Sequence, residues 1–367
     1  MNFYIPSNGS NEENENERTS EGKQHLNEAN FVPSACLRGH IGPIHAVMFT
    51  ADNKYCITCG NDRSVRLFNP TRLDPAETTR EAQMNISSST LNRNRSRIVT
   101  ELPSSLPIKI YPTIHPYAIS CIATDPKSQI LLSCGGKTMA CVDVITGKTL
   151  GKYHGHQGRI NTVTCNEDGN VYLTGSYDGS VKLWDGRSSH SEIQTLNESK
   201  DSIMTVLSVN HLIVSGGVDG CIRTYDVRRG QMRVDTVHES ITGMSLSGDA
   251  KCIAASCLDG GIRLLEHSTG DLLNTYWGSH VSGKYGLECT FTKDDLHVVS
   301  GSEDGNVVLY NLVSGKCDGI LGGHTRPTCS IACGGGKQSS TKEVIVSGSY
   351  DGNAVVWASP EESYRWA

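Results

Sequence analysis

Short runs of alternating apolar and polar residues recur along most of the chain, separated by turns rich in glycine and aspartate. One unit shows the full pattern, with strands predicted over 160–165, 171–176 and 181–184. Gly155-His156 precedes this unit, Asp178-Gly179 forms the corner between its second and third strands, and Trp184-Asp185 ends it. Three short antiparallel strands cannot bury their own apolar face, so the unit depends on its copies.

The unit occurs seven times after Phe31. The first copy covers about 44–68, and the second is imperfect because its corner, residues 134–138, contains no Asp. The remaining copies after the one above run over 203–226, 241–266, 287–311 and 328–357. Corners at a spacing of roughly 40–47 residues, with Gly-His and Trp-Asp marks, are typical of WD-repeat blades. The sequence therefore predicts an all-β fold, a seven-bladed WD-repeat β-propeller.

The pattern also predicts how the ring closes. The fourth strand of a blade falls between one third strand and the next Gly-His, as in 148–153 and 192–196. After Trp357 only ten residues remain, too few for another strand and its connection. The lone strand predicted near 35–38 should therefore join the last blade, which limits exposed strand edges.

The domain organisation follows from these limits. Residues 1–30 form a polar, acidic tail whose composition predicts disorder. The propeller occupies 31–358, with a long surface loop at 71–107 inserted after the third strand of blade one, and 359–367 form a short C-terminal tail. The alternating arginines Arg93, Arg95 and Arg97 indicate either a solvated loop or an arm that contacts a partner or RNA.

Composition excludes several classes of protein. No apolar run approaches the ~18–20 residues of a membrane helix, and no secretory signal pattern begins the chain. A net charge of -6 argues against a general polyanion binder, so no direct nucleic-acid contact is expected outside the 71–107 loop. The 14 cysteines are scattered singly along strands and favour reduced core thiols in a cytoplasmic and nuclear protein, without a metal or cofactor.

The histidines and aspartates of the repeats could be mistaken for catalytic triads. Because the same set recurs in several blades, we interpret it as a structural hydrogen-bond network, and we predict that the protein is not an enzyme. The assigned residues are His40, Thr58 and Asp62; His156, Thr174, Asp178 and Trp184; His280, Ser300 and Asp304; and His324, Ser347, Asp351 and Trp357. Phe68 and Tyr310 replace Trp in the first and third of these sets.

A propeller presents the loops of all its blades on two faces, and proteins commonly bind there. On the face with the Gly-His turns, exposed positions should lie just after each His and just before each corner Asp. The predicted partner-binding residues are His45, Asn61, Arg159, Asn161, Tyr177, Met204, Thr242, Leu258, Tyr285, Glu303, Arg326 and Tyr350. Tyr and Arg are frequent interface anchors, although ordinary surface residues remain the alternative. With Val218, the apolar members predict a partner groove at blades four and five.

Several segments resemble the family of mitogen-activated protein kinase organiser 1, also called WD repeat domain-containing protein 83. The similar segments are 53–60, 159–163, 225–231, 262–265, 284–289 and 296–300. The resemblance covers most of 36–357 in order. It departs at the acidic tail, the 71–107 loop, the blade-two corner and the longer blade seven.

This resemblance implies a scaffold, monomeric within larger complexes, that holds proteins of the extracellular-signal-regulated kinase cascade or of the spliceosome. A competing hypothesis is a substrate receptor of a cullin ubiquitin ligase. It rests on two segments, Trp184-Asp185-Gly186-Arg187 and Tyr225-Asp226-Val227-Arg228, which resemble the adaptor-binding box of such receptors.

Overall fold

The computed structural model describes residues 31–72, 102–188, 192–334 and 343–359, and within these ranges all regular structure is β-strand. Residues up to 111 contribute β1 (Val32–Leu37), β2 (Ile44–Phe49), β3 (Cys56–Gly60), β4 (Val65–Phe68), β5 (Ser104–Ser105) and β6 (Lys109–Tyr111). Blade two contains β7 (Ile119–Thr124), β8 (Ile130–Gly135), β9 (Thr138–Asp143) and β10 (Thr149–His154). Blade three contains β11 (Ile160–Cys165), β12 (Val171–Ser176), β13 (Val181–Asp185) and β14 (Glu192–Leu196).

The second half of the ring repeats this order. Blade four contains β15 (Ile203–Val209), β16 (Leu212–Gly217), β17 (Cys221–Asp226) and β18 (Gln231–Thr236). Blade five contains β19 (Ile241–Leu246), β20 (Cys252–Cys257), β21 (Ile262–Glu266) and β22 (Leu272–Tyr276). Blade six contains β23 (Cys289–Phe291), β24 (His297–Gly301), β25 (Asn306–Asn311) and β26 (Cys317–Gly322). Blade seven contains β27 (Thr328–Gly334), β28 (Val344–Ser349) and β29 (Ala354–Ala358).

These strands form seven separate sheets, so the prediction of a seven-bladed propeller is confirmed. In blade one the order is β2-β3-β4-β6, and the first strand of every blade lies next to the first strands of its neighbours. Those seven inner strands surround a central channel. The corners between the second and third strands depend on glycine, since Gly179 has a φ of +78° that other residues rarely adopt.

The ring closes as predicted, because β1 pairs antiparallel with β29 in blade seven, with Leu37 opposite Ala354. The assignment of all of 71–107 to a surface loop is wrong at its end, because β5 is buried and pairs in parallel with β1. The Cys36 amide donates to the Pro103 carbonyl at 2.9 Å, so this short strand covers the outer edge of β1. An edge strand left open would otherwise invite pairing with another chain.

The hydrophobic core is divided among the spaces between neighbouring blades. Ile57 of blade one packs with Leu131 of blade two, and equivalent clusters fill the other interfaces up to Val47 and Val346, which join blades one and seven. Each blade is therefore apolar on both faces. All fourteen cysteines are free thiols, and ten of them are buried.

The predictions for the tail at 1–30, for the middle of the inserted segment and for residues 360–367 concern residues outside the described ranges. Arg93, Arg95 and Arg97 also lie outside these ranges.

Candidate protein-interaction face

The hydrogen-bond network predicted for blade three connects the Gly-His turn, the corner and two strands. His156 Nδ1 lies 2.9 Å from Asp178 Oδ2, and its Nε2 lies 2.8 Å from Thr174 Oγ1. The Trp184 indole donates to the same hydroxyl at 2.9 Å. Blade seven has the same arrangement. His324 lies 3.0 Å from Asp351 and 2.9 Å from Ser347, and Trp357 donates to Ser347 at 2.8 Å.

Blade one forms the same set without the indole. His40 lies 2.9 Å from Asp62 and 2.8 Å from Thr58, while Phe68 fills the position of the tryptophan. Burial lowers the pKa of His40, although the Asp62 charge acts in the opposite direction. Burial also lowers the pKa of His156, again against the effect of its aspartate. Both imidazoles are therefore neutral at pH 7.

The set predicted for blade six is rearranged. His280 Nδ1 lies 2.7 Å from the Tyr310 hydroxyl, which takes the position of the aspartate partner. Ser300 donates instead to the Gly301 carbonyl at 3.0 Å, and Asp304 accepts from Asn306. A tyrosine hydroxyl reaches farther than an indole N–H, so it contacts the imidazole directly.

Blade two contains a histidine that the repeat pattern did not reveal. The turn between β8 and β9 consists of Gly136 and Lys137, so this blade has no corner aspartate. His115 Nε2 nevertheless lies 3.0 Å from Ser133 Oγ, and its Nδ1 lies 3.2 Å from the Thr138 hydroxyl. Burial lowers the pKa of His115 to about 4. No glycine precedes this histidine, which is why the Gly-His signal missed it.

In blades four and five an arginine replaces the histidine. Arg223 binds Asp219 through two contacts, at 3.2 and 2.6 Å. Arg263 binds Asp259 in the same way, at 3.2 and 2.7 Å. The corner aspartate therefore always has a partner on its own blade here, and the sequence signal is an arginine four residues after it.

These networks engage the groups that catalysis would need. Each imidazole in the complete sets has partners on both nitrogens, and each hydroxyl is shared between two side chains. None of these groups is therefore free to act as an activated nucleophile. Within the described ranges, no cluster of three or more His, Cys, Asp or Glu side chains is arranged to hold a metal ion. In the same ranges, no helix has the length and apolar character needed to cross a membrane.

The predicted partner-binding positions that follow each His lie next to those that precede each corner Asp, on one face of the propeller. In each such blade, the residue before the corner donates its amide to the linker before the inner strand, as from Tyr177 to the Arg159 carbonyl at 2.8 Å and from Tyr350 to Pro327 at 3.0 Å. Asn61, Arg159, Tyr177, Tyr285 and Arg326 are exposed, and Leu258, Glu303 and Tyr350 are partly buried. Tyr177 is the most open of the aromatic residues among them, at 68%.

A ring of seven side chains surrounds the channel at this face, and we call it the channel ring. Six of its members are the extra residues of β-bulges in the inner strands, and bulges re-aim side chains in this way. The channel ring consists of His45, Ser120, Asn161, Met204, Thr242, Glu288 and Cys329. Of the predicted residues, His45, Asn161, Met204 and Thr242 belong to it, all half-buried.

Two predicted partner-binding residues of the channel ring also connect neighbouring blades. Asn161 Nδ2 donates to the Ile203 carbonyl at 2.8 Å, and Thr242 donates to the Leu287 carbonyl at 2.9 Å. Ser120, which was not predicted, donates in the same way to Ile160 at 2.7 Å. These side chains therefore hold the mouth of the channel together.

Tyr350 is the centre of an aromatic cluster at the mouth. Its ring meets Tyr285 edge-on at 5.3 Å and His45 edge-on at 5.8 Å. Burial raises the pKa of Tyr350 to about 12. Burial, aided by the Arg159 charge, lowers the pKa of His45, so this part of the face carries a neutral imidazole beside a guanidinium.

The groove predicted at blades four and five is covered by the chain itself. We count each linker from the histidine to the first buried residue after it. By this count the linker before β23 is three residues longer than the linkers of blades three and seven. A Cβ at Gly286 would lie 3.7 Å from Thr242 and 4.0 Å from Met204. The linker thus lies over this sector, and it places Tyr285 above the channel rather than in the strand.

The longer linker explains a residue that sequence reasoning missed. Counting from His280 by the spacing of the other blades points to Lys284 and Tyr285, whereas the channel-ring position of blade six is Glu288. Aligning the blades on the first buried residue after the histidine, Leu287 here and Ile160 in blade three, would have found it. Ser120 and Cys329 follow from the same alignment.

The repeat signature is independently matched. The family model of the WD domain, G-beta repeat, matches residues 31–69, 147–185, 272–311 and 315–358. Together with the seven sheets, six of four strands and one of five, this shows that the chain contains WD repeats and folds as a seven-bladed β-propeller.

Within that class, the chain resembles the WD repeat domain-containing protein 83 family. It is 26% identical over 319 residues to the Dictyostelium discoideum homologue of that protein, across 79% of this chain and 88% of the relative. It is 45% identical over 124 residues to the Danio rerio protein, but this covers only 34% of this chain and 39% of the relative. THO complex subunit 6 of Arabidopsis thaliana is 27% identical over 157 residues, 42% of this chain and 40% of the relative.

Proposed function

We propose that this propeller is a non-enzymatic scaffold whose Gly-His face assembles multiprotein complexes in the cytoplasm and nucleus. The observation that carries the proposal is the distribution of side chains on this face. The His, Asp and Trp side chains of the repeats are engaged in blade-internal hydrogen bonds, whereas Arg159, Tyr177 and Arg326 project from the face. Arginine and tyrosine are enriched among residues that dominate interface energetics.

The resemblance to WD repeat domain-containing protein 83 supports two kinds of partner, components of the extracellular-signal-regulated kinase cascade and splicing factors. A similar protein named as a subunit of the THO complex supports the general role, since that name describes a member of an assembly. The inserted segment at 71–107 could modify either contact surface. A monomeric propeller inside a larger complex fits both partners.

The test is affinity purification of the tagged full chain followed by mass spectrometry. The comparison variant is the triple substitution Arg159→Ala, Tyr177→Ala and Arg326→Ala, which removes exposed side chains without touching the blade networks. We expect splicing factors or kinases with the wild type and their loss with the triple variant. Identical protein sets from both would contradict use of this face.

A second candidate, substrate receptor of a cullin ubiquitin ligase, is favoured by one observation. Arg187 and Arg228 follow the third strands of adjacent blades and are exposed on the face opposite the Gly-His turns. Each donates its amide to an aspartate at 2.9 Å, Asp185 and Asp226 respectively, so the two boxes have the same local geometry. Loss of adaptor recovery in Arg187→Ala and Arg228→Ala would support it, and absence of an adaptor from the native purification would exclude it.

A further inference from the structure

Glu288 is the charged member of the channel ring, and its carboxylate has hydrogen-bond donors but no counter-charge among the described residues. Ser330 of blade seven donates to Glu288 Oε2 at 2.5 Å, and the Ile331 amide also donates to the carboxylate. The Val47 amide of blade one donates in turn to Ser330 Oγ at 3.0 Å. The carboxylate is thus fixed at the junction of blades six, seven and one.

No cationic side chain among the described residues pairs with this carboxylate. Glu288 lines the channel, and part of the residue remains accessible from the channel. Burial raises the pKa of Glu288 to about 7, and the hydrogen bonds from Ser330 and Ile331 only partly oppose this. A carboxylate that has donors but no counter-charge is destabilised in its ionised form, and a cation placed next to it would remove that cost.

The space beside Glu288 is the right size for one side chain. The upper channel is a cavity of about 270 Å³, lined by the inner strands of all seven blades, and Glu288 is the one charged residue among the described residues that line it. Pockets for drug-sized ligands usually measure about 300–1,000 Å³, so this cavity suits a single long side chain better than a complete small molecule.

The entrance also suits a cation. Tyr285 and Tyr350 stand at the mouth with their rings 5.3 Å apart, and aromatic faces attract ammonium and guanidinium groups. Glu303 adds a second carboxylate at the rim, where it accepts from the Lys284 and Tyr285 amides. The Arg159 charge lies close enough to both His45 and Tyr350 to lower the pKa of His45 and to oppose the rise in the pKa of Tyr350. Tyr285 and Glu303 of blade six therefore offer an aromatic and anionic approach to Glu288.

We propose that the channel mouth is a docking site for an arginine or lysine side chain of a partner protein, which enters from the Gly-His face and pairs with Glu288. This inference rests on the proposed function, because it specifies how that face holds a partner. Charge complementarity identifies the occupant. The site presents a carboxylate, two aromatic rings and hydrogen-bond acceptors, and it lacks a cation that would balance the charge of Glu288.

Capped pentapeptides of sequence Gly-Ser-X-Ser-Gly provide the probe, with X as arginine, lysine, citrulline or glutamate. Citrulline has nearly the shape of arginine without its charge. Binding to the full chain is followed by ligand-observed NMR. We expect the arginine and lysine peptides to bind, the citrulline and glutamate peptides not to bind, and Glu288→Gln to weaken binding by about tenfold or more.

Glu288→Gln retains an oxygen acceptor for Ser330 and Ile331, so it should preserve the fold. Glu239→Gln is the matched control, since Glu239 is an exposed carboxylate in the linker before β19, beside the blade-four corner and away from the docking path, and the effect of this variant should stay below about twofold. Equal binding of the arginine and citrulline peptides, or binding unchanged by Glu288→Gln, would overturn the proposal. So would binding of free methylguanidinium without binding of any peptide.

Failure of this inference can be separated from failure of the proposed function. If Glu288→Gln retains every protein recovered with the wild type while the triple face variant loses them, the face binds partners without the channel and only the docking site is wrong. If neither variant changes the recovered proteins, the face itself is not the binding surface.

Discussion

The Trp184 indole and the His156 imidazole share the hydroxyl of Thr174, and this sharing determines where the protons lie. The indole Nε1–H can only donate, so Thr174 Oγ1 accepts from it at 2.9 Å and donates its own hydrogen to His156 Nε2 at 2.8 Å. The imidazole then carries its proton on Nδ1 and donates it to Asp178. Burial, which lowers the pKa of His156, favours the same neutral form.

The substitution Thr174→Val tests this order of donors. Valine keeps the shape of threonine but leaves the indole N–H and the imidazole Nε2 without partners inside a closed blade. We expect a loss of about 2–4 kcal/mol in the free energy of unfolding, since each unsatisfied buried group costs about 1–3 kcal/mol. Urea unfolding followed by tryptophan fluorescence measures it.

Thr58→Val in blade one is the matched control. Thr58 also contacts a histidine, but Phe68 stands where the tryptophan would be, so only one group loses its partner. The control should therefore lose about half as much stability as Thr174→Val. Equal losses at the two positions would show that the indole hydrogen bond contributes nothing.

Asp219→Asn should be more harmful than its counterpart in the next blade. The Arg223 side chain is only 5% exposed, so removing the charge of Asp219 leaves a buried guanidinium uncompensated. We expect a cost of about 3 kcal/mol in the free energy of unfolding, as for other broken buried pairs. Chemical unfolding of the two variants side by side measures the difference.

Asp259→Asn provides the comparison. Arg263 is more open and also lies 5.5 Å from the centre of the Trp277 ring, which can hold the cation after the carboxylate is neutralised. A cost of about 1 kcal/mol is expected there. If Asp259→Asn proved the more damaging, burial would not be what governs these pairs.

The blade count and the closure could be predicted from sequence because they depend on features that repeat in phase. A corner such as Asp178-Gly179 needs a positive φ at its glycine, so the residue type reports the backbone directly. Closure could be predicted because a lone strand near 35–38 precedes the first complete copy of the repeat, and this strand pairs with β29. The corner signal depends on residue type and local backbone conformation, so it can be recognised whichever blade lies next to it.

The channel ring and β5 could not be predicted in the same way. Glu288 reaches the channel only because its linker is longer, and a repeat aligned on His280 puts Tyr285 in its place. Ser104 and Ser105 have no apolar alternation, and they form a strand because β1 offers an open edge. These features arise from contacts between distant segments, which periodicity does not record.

Removing residues 31–38 should destabilise the whole ring while leaving the blade-one histidine in place. Leu37 is buried between blades, and truncating one such side chain alone costs about 2–5 kcal/mol. The deletion also exposes the edge of β29, which should promote association. Thermal unfolding and size-exclusion chromatography measure the two effects.

Ser34→Ala is the control for this deletion. It tests whether the loss of stability comes from removing the whole of β1 or from removing one hydrogen bond within it. The Ser34 hydroxyl donates to the Val32 carbonyl of its own strand at 3.2 Å, so we expect a change within about 0.5 kcal/mol. An unchanged melting temperature after the deletion itself would mean that β1 does not close the ring.

The stability of the protein should depend on pH through Glu288. Burial raises the pKa of Glu288 to about 7 in the folded chain, from 4.5 for an ordinary glutamate. Between these values the folded chain binds more protons at this site than the unfolded chain, so the contribution of Glu288 is fully present below pH 4.5 and is lost as the pH rises through 7. Other groups titrate in the same range, so we compare wild type with Glu288→Gln, which has no proton to lose. Urea unfolding at pH 5, 6, 7 and 8 should show the variant gaining stability relative to wild type as the pH rises. Parallel curves for Glu288→Gln and wild type would mean that this carboxylate is not desolvated.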